Sequence, residues 1–472
     1  MKEKISVRNP RTGKIDYWIT QPTSEELAAK CTQLREAQIN WQKAGLETRV
    51  AALQQWKQEI ISKKAQLTEA LVNDTGRLSV TVLEIDSVIS SIDRWCKLAP
   101  ELLLETETNT AITFIKLQSQ LIPYSLVGVI SHWNFPLLLS TIDTIPALLA
   151  GCAVIIKPSE IAPRFIQPLL ETIASVPELS QILTYIEGAG ETGKVLIESV
   201  DLVCFTGSVA TGKKVAEAAA KQFIPAFLEL GGKDPAIVTE TANLELATSA
   251  ILWGSIVNTG QSCLSIERIY VAGKIFDTFV AQLVAKVQRI QLAFPSVENG
   301  EIGPIIAEKQ AEIIDEQLHD AVAQGAIVHC GGNIEELAGG LWCQPTILTQ
   351  VNHTMKVMTE ETFGPIMPIM KFNNIAEAVN LANDSIYGLS AAVFAGTQDE
   401  AISIAKHLNA GAISINDAAL TAIIHEGEKN SFKFSGMGSS RMGAAAIKRF
   451  MRKKALLIKT QQVTDPWWFN IQ

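Results

Sequence analysis

At 472 residues, 47% hydrophobic and 19% charged, the chain is too long for one ordinary core and reads as a well-packed globular protein of two or three domains. Lys+Arg 40 against Asp+Glu 49 leaves a net charge of −9 with no dense basic run, which argues against nucleic acid or an anionic membrane surface as partner. No apolar stretch runs unbroken for the ~20 residues of a membrane span, and the start MKEKISVRNPRTGKIDYW has no apolar leader core, so a cytoplasmic protein without an integral membrane segment is expected.

The first ~100 residues read mostly as helices. Thr23-Ser24-Glu25-Glu26 has capping-box form and opens a pattern with apolar residues at Leu27, Ala28, Cys31, Leu34 and Ala37. A second helix is expected from Thr48 to Asn73, stopping at Asp74-Thr75-Gly76. From residue 110 the texture changes. ITFIKLQSQLIPYSLVGVIS reads as strands punctuated by Pro123, AVIIKPSE as a buried strand ending in a turn, and DLVCFTGS as another that feeds the helical VATGKKVAEAAAK. This repetition predicts a parallel, doubly wound sheet with ligands at the carboxyl ends of its strands. A second α/β block follows Gly232, with IERIYVAGK, a helix over 276–291, and strands in AIVHC, MPIMKF, SAAVFAG and GAISIN. LLIKTQQV, at 456–463, reads as a strand available to a partner's sheet.

The seven cysteines are odd in number, scattered and without a Cys-x-x-Cys, the pattern of reduced thiols. The six histidines show no metal-ligand spacing with them, so no metal site is expected. Gly188-Ala189-Gly190-Glu191-Thr192-Gly193 matches G-x-G-x-x-G literally, but no acidic residue stands at the right distance beyond it, and these glycines are not taken as primary cofactor ligands. FTGSVATGKK places Gly207 and Ser208 between a buried strand and a helix start, where a pyrophosphate or a plain helix cap would serve equally. Lys157-Pro158-Ser159-Glu160 offers a cation and a carboxylate for ribose hydroxyls. Cys263, in NTGQSCLSIERIYV, is either a nucleophile placed by a turn or a small buried thiol.

The order SHWNFP, AGCAVIIKPSE, FTGS, LELGGKDPAIV, NTGQSC, EETFGP and SGMG, across residues 131–438, resembles the NAD(P)-dependent aldehyde dehydrogenase superfamily over nearly the whole chain. The resemblance implies a Rossmann-like cofactor domain (1–109 and 126–231), a second α/β catalytic domain (232–430) and a small β oligomerisation element (110–125 and 452–472). It assigns Cys263 as nucleophile, Asn134 as oxyanion amide together with the Cys263 N–H, and Glu229 as the base that activates water. Trp133, Lys157, Ser159, Glu160, Gly207, Ser208, Leu230, Gly231, Glu361 and Phe363 match cofactor positions. A carboxylate at Glu160 favours NAD, with NADP possible.

Two departures stand out. His132 replaces the Pro that many members carry before Trp133, and Glu426–Ser431 is an insertion-like polar stretch expected to reshape the substrate entrance. Phe135, Leu138, Leu139, Leu264, Phe432 and Phe434 are expected to line that entrance and to suit an apolar aldehyde: long-chain aliphatic, aromatic or apocarotenoid. The alternatives are a catalytically silent NAD-binding or structural relative, or a CoA-acylating enzyme, against which Glu229 argues. A homodimer or homotetramer is implied.

Overall fold

Thr23 caps its helix as the motif predicts: its side chain accepts from the Glu26 amide, and Glu26 reaches back to the Thr23 amide. Helix Ser24–Lys43 then buries Leu27, Cys31 and Leu34 against strand Ala153–Lys157. This is a computed structural model, and it describes residues 4–462, 464–465 and 467–469. The chain is mixed α/β and holds two large parallel sheets.

The first sheet has six strands in the spatial order Gly436–Met437, Ala226–Glu229, Leu202–Thr206, Leu126–Ile130, Ala153–Lys157, Leu183–Tyr185. All pairs are parallel except the outermost, where Gly436–Met437 runs antiparallel to Ala226–Glu229. Leu126–Ile130 and its neighbours Ala153–Lys157 and Leu202–Thr206 are buried at every residue, which is why they read as continuous apolar runs rather than alternating ones. Each fully enclosed Ile, Leu or Val there contributes about 1.5–3 kcal/mol. Strand order reverses between Leu126–Ile130 and Leu202–Thr206, and a crevice opens beyond their carboxyl ends.

The second sheet has seven strands, Ile327–Cys330, Thr346–Thr349, Ile366–Phe372, Ile266–Ala272, Asp234–Val238, Ser390–Phe394 and Ala412–Ile415 in spatial order, with only the first pair antiparallel. Besides the direct link through Leu230–Lys233, a short late segment ties the first sheet to the chain that leads into the second. Phe432–Lys433 pairs with Tyr387–Gly388, while Gly436–Met437 closes the first sheet. Between them Ser435, fully buried, accepts from the Gly388 amide through Oγ and from the Leu230 amide through its carbonyl, both at 2.9 Å.

The structure departs from the sequence reading in three places. The helix expected over 48–73 is two helices, Gly45–Ser62 and Lys64–Thr75, broken where Lys63 leaves helical dihedrals (φ −99°, ψ 10°). The helix expected over 276–291 stops at Val287. An N-terminal hairpin, Lys4–Arg8 with Ile15–Thr20, precedes the helices. The C-terminal strand Met451–Lys459 pairs one edge, antiparallel along its whole length, with Ile115–Pro123 of the same chain, and Glu107–Asn109 adds a third strand. Among the described residues no strand pairs with the outer edge of Met451–Lys459. Val463 of the expected 456–463 strand, and part of the expected 452–472 element, lie outside the described residues.

Candidate active site

Helix Leu244–Ile256 leads into three successive residues in the left-handed region, Asn258 (φ 56°), Thr259 (φ 58°) and Gly260 (φ 69°). They swing the chain so that Cys263 is presented just before strand Ile266–Ala272. Left-handed Thr costs about 1–2 kcal/mol, so something must hold it. Thr259 Oγ1 donates to Gly303 O at 3.1 Å, and the buried Gln261 side chain donates to Pro304 O and accepts from the Ile306 amide. Gly260 is required by space as well as by φ, since a β-carbon there would stand 2.2 Å from Gly364 O. The loop is thus rigid, and Cys263 at its end is partly exposed.

Asn134 enters from the first sheet, just past strand Leu126–Ile130. It is 2% exposed, and its Nδ2 donates to Gln261 O at 2.9 Å. Asn258 Nδ2 bridges the same two residues, donating to Asn134 O at 3.0 Å and Gln261 O at 2.9 Å. Arg77 also donates to Asn134 O (2.6 Å) and lies 3.6 Å from Glu84, whose Oε1 accepts the Leu137 and Leu138 amides at the start of helix Pro136–Thr141. The amide-bearing loop is therefore clamped to both the nucleophile turn and a buried ion pair. Among the described residues none accepts from the Cys263 amide, which leaves that N–H and the second Nδ2 hydrogen of Asn134 as donors.

Glu361 and Phe363 are set by the buried Lys233–Glu267 pair. Lys233 Nζ donates to Glu267 Oε2 (2.8 Å) and Thr362 Oγ1 (2.7 Å), while Glu267 accepts the Thr362 and Phe363 amides at 2.7 Å each. That grip holds Phe363 at φ 51°. Glu361 Oε1 in turn accepts the Gly232 amide at 3.0 Å. Phe363 packs edge-on to Trp133, with centroids 5.4 Å apart.

Of the residues expected from sequence, Asn134, Gly207, Ser208, Leu230, Gly231, Cys263, Glu361 and Phe363 line one cleft, joined by His132, Thr206 and Gln310. Glu229, Trp133, Lys157, Ser159 and Glu160 are not among its walls. Glu229 ends strand Ala226–Glu229 beside Thr206, and its Oε2 accepts from Ser431 Oγ at 2.9 Å. Lys157 is buried and donates to Gly188 O (2.7 Å) and Pro158 O (3.0 Å), with Glu160 Oε2 at 3.5 Å. Ser159 Oγ accepts from the Ile161 amide. Ser208 caps helix Val209–Gln222 by accepting from the Thr211 amide, so the plain capping reading holds, and the helix start still faces the cleft. Phe135 lies under Arg77, 4.9 Å from its guanidinium; Leu138, Leu139 and Leu264 are partly exposed and Phe432 is exposed. Phe434 instead lies 4.4 Å from Lys213 Nζ, beside helix Val209–Gln222.

Burial governs the electrostatics. It pushes the Cys263 thiol up to about 12, reinforced by the Glu361 charge and opposed by Lys429. Burial and then the Glu267 charge raise Glu361 to about 8. His132 is lowered to about 4, again by burial, and is neutral over the physiological range.

Arg77, Glu84, Lys233, Glu267, Asn258, Gln261 and Ser431 were not singled out from sequence. Glu267 carried a signal, because a carboxylate inside the apolar run IERIYV needs a buried cation.

A cofactor of NAD(P) type fits the chemistry of these walls. A β-carbon on Gly231 would stand 2.4 Å from Glu361 Oε2, so the glycine keeps the carboxylate close to bare backbone, and a helix start with a hydroxyl cap stands opposite. The chain matches the family model described as "Aldehyde dehydrogenase family" over residues 1–456. It is 35% identical over 475 residues to the 4,4'-diapolycopene aldehyde oxidase of a Methylomonas species, covering 98% of this chain and 88% of that protein. The solved structure of PutA from Anabaena variabilis superposes with a TM-score of 0.98 at 68% identity, covering 99% of this chain and 100% of that one. Betaine aldehyde dehydrogenase of Staphylococcus aureus, solved in complex with NAD+, gives a TM-score of 0.92 at 29% identity over 99% of this chain and 94% of its own. With the thiol, the amide and the carboxylates assembled as described, the chain belongs to the aldehyde dehydrogenase family and is an NAD(P)-dependent oxidoreductase.

Proposed function

We propose that the protein oxidises an apolar aldehyde to its carboxylic acid with NAD as the preferred acceptor. The observation that carries this reading is the convergence of Cys263, Asn134 and Glu361 on one cleft, with Glu229 at the adjoining strand end. Cys263 gives up its thiol proton to solvent and its Sγ attacks the aldehyde carbon, and the Asn134 amide and Cys263 N–H receive the developing oxyanion. NAD(P), when bound, would supply the two-electron acceptor for the carbon-bound hydrogen, which leaves as hydride so that the oxyanion collapses to a thioester on Cys263. Glu229 then takes a proton from water, which attacks the Cys263 thioester and frees the acid.

Lys157, Ser159 and Glu160 would hold the adenosine ribose, Gly207, Ser208, Leu230 and Gly231 the pyrophosphate side, and Trp133, Glu361 and Phe363 the nicotinamide end. The partly exposed Glu160 carboxylate favours a free ribose hydroxyl over a phosphate, which supports NAD over NADP. Phe135, Leu138, Leu139, Leu264 and Phe432 supply an apolar approach, and the relative named for a diapolycopene aldehyde supports that substrate class. The open edge of Met451–Lys459 supports a homodimer or homotetramer joined through that sheet, and the sheets support the division into cofactor (1–109, 126–231), catalytic (232–430) and oligomerisation units except at Glu107–Asn109, which joins the oligomerisation sheet, and Gly436–Met437, which joins the cofactor sheet. Seven unbridged thiols support a reducing, cytoplasmic setting; among the described residues no helix is long and apolar enough to cross a membrane.

The test is NADH or NADPH formation by the wild type and C263A, on decanal, benzaldehyde, retinal and succinic semialdehyde, with and without CoA. Turnover without CoA that vanishes in C263A is expected. Preference for succinic semialdehyde would overturn the substrate class, and strict dependence on CoA would overturn the hydrolytic reading.

A further inference from the structure

We propose that His132 is a positioning residue for the oxyanion amide. Its Nδ1–H, 2.9 Å from Asn134 Oδ1, fixes the carboxamide so that one Nδ2 hydrogen meets Gln261 O and the other faces the cleft beside Cys263. The inference rests on the reading of Asn134 as oxyanion donor and extends it to a side chain that reading does not use.

A carboxamide has one acceptor oxygen and one two-proton donor. Here the donor end is committed by Gln261 O, an acceptor that already takes Asn258 Nδ2. Among the described residues the oxygen end has one partner, the imidazole. Because Oδ1 can only accept, the imidazole proton must sit on Nδ1. The ring is held in place for this task by Trp133, whose centroid is 4.7 Å away, and by Phe363, edge-on at 5.7 Å. Burial keeps the imidazole neutral, so it orients the amide without adding a charge beside the thiol.

Asn134 is 2% exposed, so water cannot readily replace the imidazole if it is removed. Accepting a hydrogen bond at Oδ1 also polarises the amide and strengthens donation from its nitrogen. A proline at position 132 has no side-chain donor to offer, so this chain supports its amide in a way that the commoner residue does not allow.

The experiment measures kcat, KM for aldehyde and NAD affinity in the full-length protein carrying H132L, H132N, H132Q, N134A and the H132L/N134A pair. The amide nitrogen of Asn falls near the position of Nδ1, whereas that of Gln reaches towards Nε2. H132L and H132Q should lower kcat about tenfold, the rate equivalent of one lost hydrogen bond, with NAD affinity within about twofold of wild type. H132N should recover most of that loss. In the N134A background H132L should cost nothing further, because its effect passes through the amide.

A kcat for H132L within twofold of wild type, H132N no better than H132Q, or an added loss in the double variant would each overturn the proposal. If H132L does not fold, the comparison of H132N with H132Q decides alone. N134A at wild-type kcat would overturn the oxyanion reading itself; N134A impaired with H132L unimpaired would overturn only the role of His132.

Discussion

Gly232 and Cys263 approach so closely that a β-carbon on the glycine would stand 2.2 Å from the cysteine carbonyl oxygen. The same glycine donates its N–H to Glu361 Oε1. One residue without a side chain therefore sets the spacing between the nucleophile turn and the carboxylate loop. G232A should force the two apart, lowering turnover at least tenfold and stability by about 1–3 kcal/mol, as overpacking does. Steady-state kinetics and urea unfolding on the same preparation would check it; a variant with wild-type turnover would show that the turn yields without consequence.

The enclosed Lys233–Glu267 pair makes a prediction of a different kind. E267Q leaves the ammonium without its countercharge and loosens the amides of Thr362 and Phe363. Removing one partner of a buried pair costs about 3–5 kcal/mol. Urea midpoints should fall accordingly, and the K233M/E267L double variant should restore much of the stability while leaving Glu361 and Phe363 less well placed, seen as weaker NAD binding.

The thiol of Cys263 offers a pH test. With burial pushing it to about 12, the thiol form dominates in neutral solution, and the reactive thiolate fraction rises about tenfold per pH unit from pH 7 to pH 10. Iodoacetamide should alkylate the cofactor-free protein along that slope with no plateau below pH 10. Glu361 raises the thiol further, so E361Q should react faster than wild type at pH 9, where the Glu361 carboxyl is ionised. A plateau near pH 8 in the wild type would contradict the arrangement.

Glu229 is assigned to the hydrolytic half of the reaction, which E229Q should separate from the first. The variant should release about one equivalent of NADH per site in a rapid phase and then stall as the thioester, with steady turnover lowered about 10²–10⁴-fold. Rapid mixing followed by intact-mass detection of an acyl adduct on Cys263 would check it. Loss of the rapid phase itself would place Glu229 earlier in the sequence of steps.

The parts of the site that could be read from sequence are those where chemistry and turn lie within a few consecutive residues. Asn258 to Cys263 contains both the left-handed run and the thiol it presents, and Glu361 to Phe363 both a carboxylate and a ring. What could not be read depends on pairs made only by folding. Arg77 and Glu84 clamp a loop more than fifty residues further along the chain, and Ser431 reaches Glu229 across 202 residues of sequence. The break at Lys63 escaped because neither Pro nor Gly marks it. The tail strand was read correctly as β structure, but its pairing with Ile115–Pro123 was not read strand by strand, since an edge strand's pattern does not say whose edge it meets.

One segment that ties the two sheets lies late in the chain, and this bears on biosynthesis. During translation the thiol of Cys263 emerges long before Ser431, the Gly436–Met437 strand and the Met451–Lys459 strand. A chain arrested between them holds a nucleophile without the serine that meets Glu229 and without the closing edge of the first sheet. Such a product possesses the reactive atom and the turn that presents it, but not the hydroxyl partner of the carboxylate assigned to hydrolysis.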